Sequence, residues 1–199
     1  MPEISTLAGF REPTVKNYEC LHSLLAPGEM VNMALEAAAE PMKGWSIVFS
    51  GPMLQMLHVG NGADGRSSHP NEEIVELGTK DAAEMVELTT LTKPGPFAKR
   101  THELGTYLGI RKDGRLVAMA GERLKLPGFT EVSAVCTHPD HTGKGYARAL
   151  MLAVMKRIGE RGESAFLHVR ESNKRAIALY ETLGFQKRVT LQHVTLRKD

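Results

Sequence analysis

Two glycines, Gly143 and Gly145, stand between a β-prone segment and a segment with helical periodicity, where they could bind an anion. Residues 131–137 alternate in character, and Pro139 ends that strand because proline has no N–H for the ladder. The next apolar residues recur at helical spacing: Ala147, Leu150, Met151, Val154 and Ile158. A helix start offers unpaired N–H groups and a partial positive charge. The pattern therefore predicts a phosphate or pyrophosphate site, with a tight turn lacking a ligand as the alternative.

The glycine loop does not match the two common nucleotide-binding loops. The chain contains no G-x-x-x-x-G-K-[ST], and Arg148 stands where G-x-G-x-x-G needs its third glycine. A second block follows about thirty residues later, Asn173 to Phe185, with the sequence N-K-R-A-I-A-L-Y-E-T-L-G-F. It is typical of a short amphipathic helix that ends at Gly184, a residue suited to the position after a helix.

Together the two blocks resemble signatures of the GNAT superfamily of acetyltransferases. Thr142 to Ala147, T-G-K-G-Y-A, is similar to the family's acetyl-CoA loop, Q/R-x-x-G-x-G/A, although Thr142 replaces the usual Arg or Gln. Asn173 to Phe185 is similar to N-x-x-A-x-x-x-Y-x-x-x-G-F. The sequence around both blocks most resembles the glycine-N-acyltransferase-like branch. The resemblance to the superfamily covers roughly residues 73–196.

The resemblance implies an α/β fold whose mixed central sheet has about six to seven strands flanked by helices. Residues 73–199 would form the acetyltransferase domain, with residues 1–72 as an N-terminal extension packed on it. The implied activity is acetyl transfer from acetyl-CoA to a primary amine of a small molecule, amino acid or peptide, directly within a ternary complex. Two alternatives stay open: an acyltransferase for longer acyl-CoA, with Met53, Met56 and Met119 lining a wider channel, and a catalytically silent acyl-CoA-binding module.

The family also implies where the cofactor binds and which residue protonates the departing thiolate. Two neighbouring parallel strands part, and the pantetheine arm pairs with backbone between them. Tyr180 fits the general acid, because a phenol is protonated at neutral pH. Asn173 would contact the cofactor, cap its helix, or do both. The other implied cofactor-binding residues are Val135, Cys136, Thr137, Thr142, Gly143, Lys144, Gly145, Tyr146 and Ala147.

A general base is needed because the attacking amine must be neutral. Glu131 is the leading candidate, since on a regular strand it would share a face with Val135; Glu122 and Glu103 are rivals. His138 and His141 form H-x-x-H on a loop without a third ligand, which favours loop histidines, with His141 near the cofactor phosphates and no metal. Cys136 is interpreted as a buried small residue rather than a nucleophile.

Outside the two blocks, local patterns predict the remaining elements. The predictions are a helix at Glu29–Glu40, two short strands within Trp45–Val59 broken at Gly51-Pro52, a turn-rich loop at Asn61–Asn71, a strand at Glu73–Leu77, a helix at Thr79–Leu91, a short helix at Phe97–Leu104, a hairpin of Thr106–Arg111 and Leu116–Leu124 around Lys112-Asp113-Gly114-Arg115, a strand at Ala165–Val169, and a last strand or hairpin at Phe185–Leu196.

Composition indicates an ordinary globular chain. Its 199 residues are 42% hydrophobic and 24% charged, and the net charge of +2 favours no nucleic-acid partner. No apolar run reaches the length of a membrane span or a signal-peptide core. Two cysteines give no disulfide framework, which is typical of a reduced, cytoplasmic setting. The resemblance also allows a homodimer through the last strand.

Overall fold

Eight strands form a single sheet in the part of the chain that the computed structural model describes, residues 3–37, 40, 42–60 and 73–199. The sheet order is β1-β8-β2-β7-β6-β5-β4-β3. Among the seven strand pairs of the described residues, β6–β7 is parallel and the others are antiparallel. The strands are β1 (Met30–Leu35), β2 (Trp45–His58), β3 (Ile74–Leu77), β4 (Tyr107–Lys112), β5 (Arg115–Leu126), β6 (Phe129–Thr137), β7 (Ser164–Arg170) and β8 (Phe185–Lys198).

Helices cover both faces of this sheet, as the predicted α/β fold requires. They are α1 (Val15–Ser23), α2 (Ala82–Thr92), α3 (Tyr146–Glu160) and α4 (Lys174–Thr182). The largest core lies between the sheet and α3 and α4, and includes Leu150 and Ile177. A second core packs α2, through Met85, on the opposite face. The sheet has eight strands rather than the predicted six to seven, because the N-terminal segment contributes β1 and β2.

The helix predicted at Glu29–Glu40 is wrong, because residues 30–35 form β1. Val31 and Met33 are buried on one face, and between them the backbone of Asn32 bonds to Thr6 and Ala8. Its side chain also bonds to His193 and Thr195 of β8. Pairing with neighbouring strands therefore outweighs the helix propensity of these residues, because local propensity is weaker than tertiary contacts.

The predicted break at Gly51-Pro52 is also absent, since β2 runs unbroken through both residues. Pro52 is tolerated because β7 ends opposite the following residue, Met53, which pairs with Arg170. The carbonyl of Pro52 accepts from the N–H of Glu171, so its missing N–H would point to the same side, beyond the end of β7. β2 thus pairs with β8 along its length and with β7 only from Met53 to Leu57.

Most other predicted elements are confirmed. The first strand and long helix correspond to β3 and α2, and the β4–β5 hairpin turns at Asp113 and Gly114, both with positive φ. The short helix predicted at 97–104 is only a 3₁₀ turn, Thr101–Leu104, and the C-terminus is one strand rather than a hairpin. The predicted loop at 61–71 lies outside the described residues. The domain division at residue 72 stays a prediction.

The N-terminal segment runs along the β1 edge and then reaches the loop after α2. The N–H of Ala8 donates to the carbonyl of Asn32, and the N–H of Asn32 donates to that of Thr6. Nearer the start of the chain, the N–H of Arg100 donates to the carbonyl of Glu3, and the hydroxyl of Thr101 donates to that of Ile4. Residues 3–8 therefore connect the β1 edge of the sheet to the segment between α2 and β4. No helix in the described ranges is long and apolar enough to cross a bilayer.

Candidate active site

The site begins where β6 and β7 part. The two strands pair only from Phe129↔Ser164 to Glu131↔Phe166, and β6 continues to Thr137 with no β7 partner. A cavity of about 850 Å³ opens in this region, lined by both strands and by the starts of α3 and α4. The parting leaves backbone groups of Val135 to Thr137 along the cavity wall, as the family resemblance implied.

A bulge changes which β6 side chains face which side of the sheet. Ser133 pairs with Gly121 and Cys136 pairs with Met119, so two β6 residues oppose Ala120 alone. Ala134, at the bulge, has φ +53. Val135 packs against the α3 core, whereas Glu131 bonds to groups on the α2 face. The prediction that Glu131 and Val135 share a face is therefore wrong, because it assumed a regular strand.

The glycine loop takes the conformation that its glycines permit. Gly143 and Gly145 have φ of +80 and +81, and a Cβ built on either meets no atom within 4 Å. Positive φ, rather than crowding, is thus what requires glycine here. Helix α3 begins directly after Gly145 with no side-chain cap, so an anion can take that role. The hydroxyl of Thr142 donates to the carbonyl of Pro139.

Helix α4 presents Tyr180 to the same cavity from its buried side. Burial, together with the neighbouring Cys136 thiol, raises the pKa of Tyr180 to about 12. The phenol therefore keeps its proton at neutral pH. Asn173 caps the helix by accepting from the N–H of Ala176, and it also lines the cavity. Gly184 follows the helix with φ +87, as predicted.

Glu131 lies in the cavity wall but is fully buried and tightly held. Arg123 donates to both carboxylate oxygens at 2.9 and 2.7 Å, and Nδ1 of His168 lies 2.8 Å from Oε1. Burial alone would raise the pKa of Glu131, but the hydrogen bonds from His168 and Arg123 outweigh it and lower the pKa. A carboxylate held in this way stays ionised and is a weak proton acceptor.

A hydrogen-bond chain extends from Glu131 across the sheet. Gln55 on β2 bonds to Nε2 of His168 at 3.0 Å, and Arg188 on β8 donates to the Gln55 carbonyl oxygen at 2.6 Å. Because Arg188 can only donate, the Gln55 amide must donate to Nε2. With Nε2 as the acceptor, Nδ1 of His168 carries an N–H that faces Glu131. Five strands thus fix the orientation of one imidazole.

Beyond this chain, the α2 face carries further polar groups at the cavity. The guanidinium carbon of Arg170 lies 4.7 Å from the centroid of the Phe49 ring. Nε2 of His193 bonds to the side-chain oxygen of Asn32. Burial, followed by the charges of Arg170, Arg123 and His168, lowers the pKa of His193. His193 is therefore neutral near pH 7.

The rival carboxylates lie away from the cavity. Glu122 is fully buried, and its oxygens lie 3.0 Å from Arg161 and 3.2 Å from Lys125. Glu103 is exposed and pairs with Arg100. Neither lines the cavity in the described structure.

Two other predicted features can be placed. His141 lines the cavity beside the glycine loop, and His138 accepts from the N–H of Asp140 within the loop. The described residues contain no cluster of three or more potential metal ligands. Burial raises the pKa of the Cys136 thiol to about 11, so a thiolate nucleophile is disfavoured at neutral pH.

The cavity brings together nearly every residue that the sequence proposed for the site. Glu131, Tyr180 and nine of the ten predicted cofactor-binding residues line it; Lys144 is exposed beside it, with Nζ 3.3 Å from Nδ1 of His141. Sequence reasoning missed Arg123, His168, Arg170 and His193. Only His168 stands between two apolar neighbours, and the other three each have a charged or polar neighbour, so no local pattern distinguishes them or specifies a partner.

A solved structure similar over the whole chain decides the family. A protein from Novosphingobium aromaticivorans, described as an acetyltransferase from the GNAT family, is 36% identical with a TM-score of 0.87. The match covers 100% of this chain and 86% of that one. The chain belongs to the GNAT family. The family model for FR47-like proteins also matches residues 107–194.

Curated relatives of this GNAT protein match over shorter stretches. The N-alpha-acetyltransferase RimI of Mycobacterium tuberculosis is 37% identical over 101 residues, 47% of this chain and 63% of its own length. The mycothiol acetyltransferase of Thermomonospora curvata is 37% identical over 84 residues, 42% of this chain and 28% of its own length. The chain therefore spans less than two thirds of either relative. The glycine-N-acyltransferase-like branch does not appear among these matches.

Proposed function

We propose that this GNAT protein is an N-acetyltransferase that moves the acetyl group of acetyl-CoA to a primary amine, directly within a ternary complex. One observation carries the proposal: β6 and β7 part beside a glycine-rich helix start, with Tyr180 facing the resulting cavity. Family membership and the acetyltransferase relatives support it. The two blocks that suggested it in the sequence line one cavity.

The residues present fit acetyl-CoA. Open space above Gly143 and Gly145 and the uncapped start of α3 suit the pyrophosphate. Backbone groups of Val135 to Thr137, unpaired with β7, suit the amides of the pantetheine arm. We propose that Asn173 contacts the cofactor as well as capping α4. The bound cofactor would supply the activated acetyl group.

Tyr180 is proposed to donate a proton to the departing CoA thiolate. Its raised pKa, about 12, keeps the donor loaded at every pH at which the enzyme would work. The departing thiolate takes the phenol's proton as the C–S bond breaks, and the tyrosinate left behind regains a proton from solvent before the next turnover. Cys136 has no nucleophilic part in this scheme.

The hydrogen bonds around Glu131 favour a base formed by the pair Glu131 and His168 over Glu131 acting alone. Glu131 remains the predicted base, but its lowered pKa suits a carboxylate that stays ionised. We propose that it orients His168, whose Nε2 takes the amine proton. The acceptor's ammonium group would replace the Gln55 amide as donor to Nε2, and Glu131 would stabilise the resulting imidazolium at 2.8 Å.

The longer-chain alternative has weaker support. Of the three methionines proposed to widen the channel, Met53 lines the cavity, while Met56 and Met119 are fully buried in the two cores. A silent acyl-CoA-binding module would not need the ordered Arg123–Glu131–His168 chain. Three further expectations stay predictions: membership of the glycine-N-acyltransferase-like branch, a cytoplasmic location and a homodimer. Cys20 and Cys136 are both free thiols.

A thiol-release assay with acetyl-CoA against amines, amino acids and short peptides tests the proposal, beside a calorimetric titration with CoA. We expect micromolar to millimolar CoA binding and turnover with one acceptor class. Acetyl-CoA binding without turnover on any acceptor, but with turnover on octanoyl-CoA, would favour the longer-chain reading. Binding with no turnover of either donor would favour the silent module.

A further inference from the structure

The two ends of the cavity differ in what balances their charge. Five cationic side chains line the cavity in the described structure, against one carboxylate, Glu131. Arg123 is neutralised by that carboxylate. Arg148 and Arg175 lie on α3 and α4, near the proposed phosphate site. Arg170 and Lys93 are left at the opposite end, on β7 and at the C-terminus of α2.

Arg170 is held in place without an acidic partner. No Asp or Glu of the described ranges lies within ion-pair distance, and the guanidinium instead stacks 4.7 Å from the Phe49 centroid. Stacking fixes the plane of the guanidinium while leaving its N–H fork free for an anion. His193 beside it is neutral near pH 7. Of these two side chains, Arg170 is therefore the one that carries a positive charge without an acidic partner.

The size of the acceptor is restricted by the chain that covers this end. Leu7 and Ala8 line the cavity from the N-terminal segment, and Pro94 to Pro96 line it from the loop after α2. That segment is tied down at both ends, by Ala8 on β1 and by Ile4 against Thr101. A cavity of about 850 Å³ whose lining segments are fixed in this way suits a small acceptor.

We infer that the acceptor is a small amine that also carries a carboxylate, an amino acid or a close analogue, whose carboxylate pairs with Arg170. This inference rests on the proposed acetyl transfer. The amine would then lie toward His168 and the parting of β6 and β7. A bidentate arginine–carboxylate pair would also set the orientation of the amine, which a point charge would not.

Matched acceptors test this inference: an amino acid and the amine that lacks only its carboxylate, such as alanine with ethylamine and phenylalanine with phenethylamine. We expect kcat/KM to favour the amino acid of each pair. In Arg170→Gln, the amino acids should lose about 10- to 100-fold, mainly in KM, and the simple amines should not change. Arg170→Lys should recover part of the loss.

Arg115→Gln is the matched control, since Arg115 is exposed at the start of β5 and lies outside the cavity. Equal use of both members of each pair by the wild type, or an equal loss on both in Arg170→Gln, would overturn the inference and leave acetyl transfer intact. Turnover with peptide N-termini alone would also overturn it. Intact acetyl-CoA binding with no acceptor turned over would overturn the inference and the proposed function together.

Discussion

The cofactor end and the acceptor end of the cavity are built on different principles. At the cofactor end, the proposed binding groups are backbone: two positive-φ glycines, a helix start and a strand edge unpaired with β7, all within residues 135–147. At the acceptor end, side chains on five strands converge on one face of the sheet, joined by the chain from Arg123 to Arg188. Backbone groups suit a ligand that does not change, which is the cofactor. Side chains at the acceptor end can be substituted one at a time, so acceptor specificity can change without disturbing the cofactor site.

Tyr180→Phe should have the largest effect, because Tyr180 faces the point where the two ends meet. We expect kcat to fall by about 10²- to 10⁴-fold, the usual contribution of a general acid, with CoA affinity unchanged. Steady-state kinetics and a CoA titration on the same preparation would measure both. Unchanged turnover would remove Tyr180 from the mechanism.

Tyr107→Phe is the control for that substitution. The hydroxyl of Tyr107 is buried with no partner among the described residues, and Tyr107 does not line the cavity. Removing an unsatisfied buried hydroxyl should leave kcat unchanged and the free energy of unfolding equal or slightly higher.

Gly143→Glu should break the cofactor end alone. A carboxylate beside the pyrophosphate would repel it, and the backbone at φ +80 disfavours any side chain. We expect the Kd for CoA to rise roughly 100-fold, about 2.8 kcal/mol. Gly128→Glu is matched for backbone strain, with φ +77 and open space, but lies outside the cavity. If both variants bind CoA equally, the assignment of the loop is wrong.

The same contrast explains what could be predicted from sequence. The cofactor end is contiguous, and positive φ leaves a visible trace as glycine, so Gly143, Gly145 and the helix after them were predictable. The acceptor end depends on register between distant strands. Its bulge falls at Ala134, which has positive φ without being glycine, so nothing in the sequence marks the change of face. β1 was predicted as a helix for a related reason, since its strand form comes from pairing with β8 and residues 6–8.

Glu131→Gln compares the acceptor end with an otherwise similar buried site. Glu131 and Glu122 are both fully buried and both bound by an arginine, but only Glu131 lines the cavity. Removing the charge of Glu131 should cost about 3–5 kcal/mol of stability, because Arg123 stays buried without its partner. Removing the charge of Glu122 should cost less, since its partners Arg161 and Lys125 are partly exposed to solvent. Only Glu131→Gln should also lower kcat per folded molecule, by about 10- to 100-fold, because His168 loses the carboxylate that orients it.

Urea unfolding gives the stability of each variant, and kinetics at a temperature where both are folded give kcat. If Glu122→Gln lowers kcat as much as Glu131→Gln, the effect comes from loosened β5–β6 pairing, and the proposed role of the pair fails.

The smallest expected effect is on how stability depends on pH. Burial lowers the pKa of His193 below 6.5, so the unfolded chain takes up this proton first and stability falls as pH drops below about 6.5. Hydrogen bonds to His168 and Arg123 lower the pKa of Glu131 below 4.5 despite its burial, so its contribution is lost only below about pH 4.5. His193→Gln should therefore reduce the loss of stability below about pH 6.5, and Glu131→Gln the loss below about pH 4.5. Urea midpoints between pH 8 and pH 3.5 measure both. Should both variants flatten the same window, His193 and Glu131 would titrate as one coupled group, and the separation between the orienting carboxylate and the neutral imidazole of His193 would not hold.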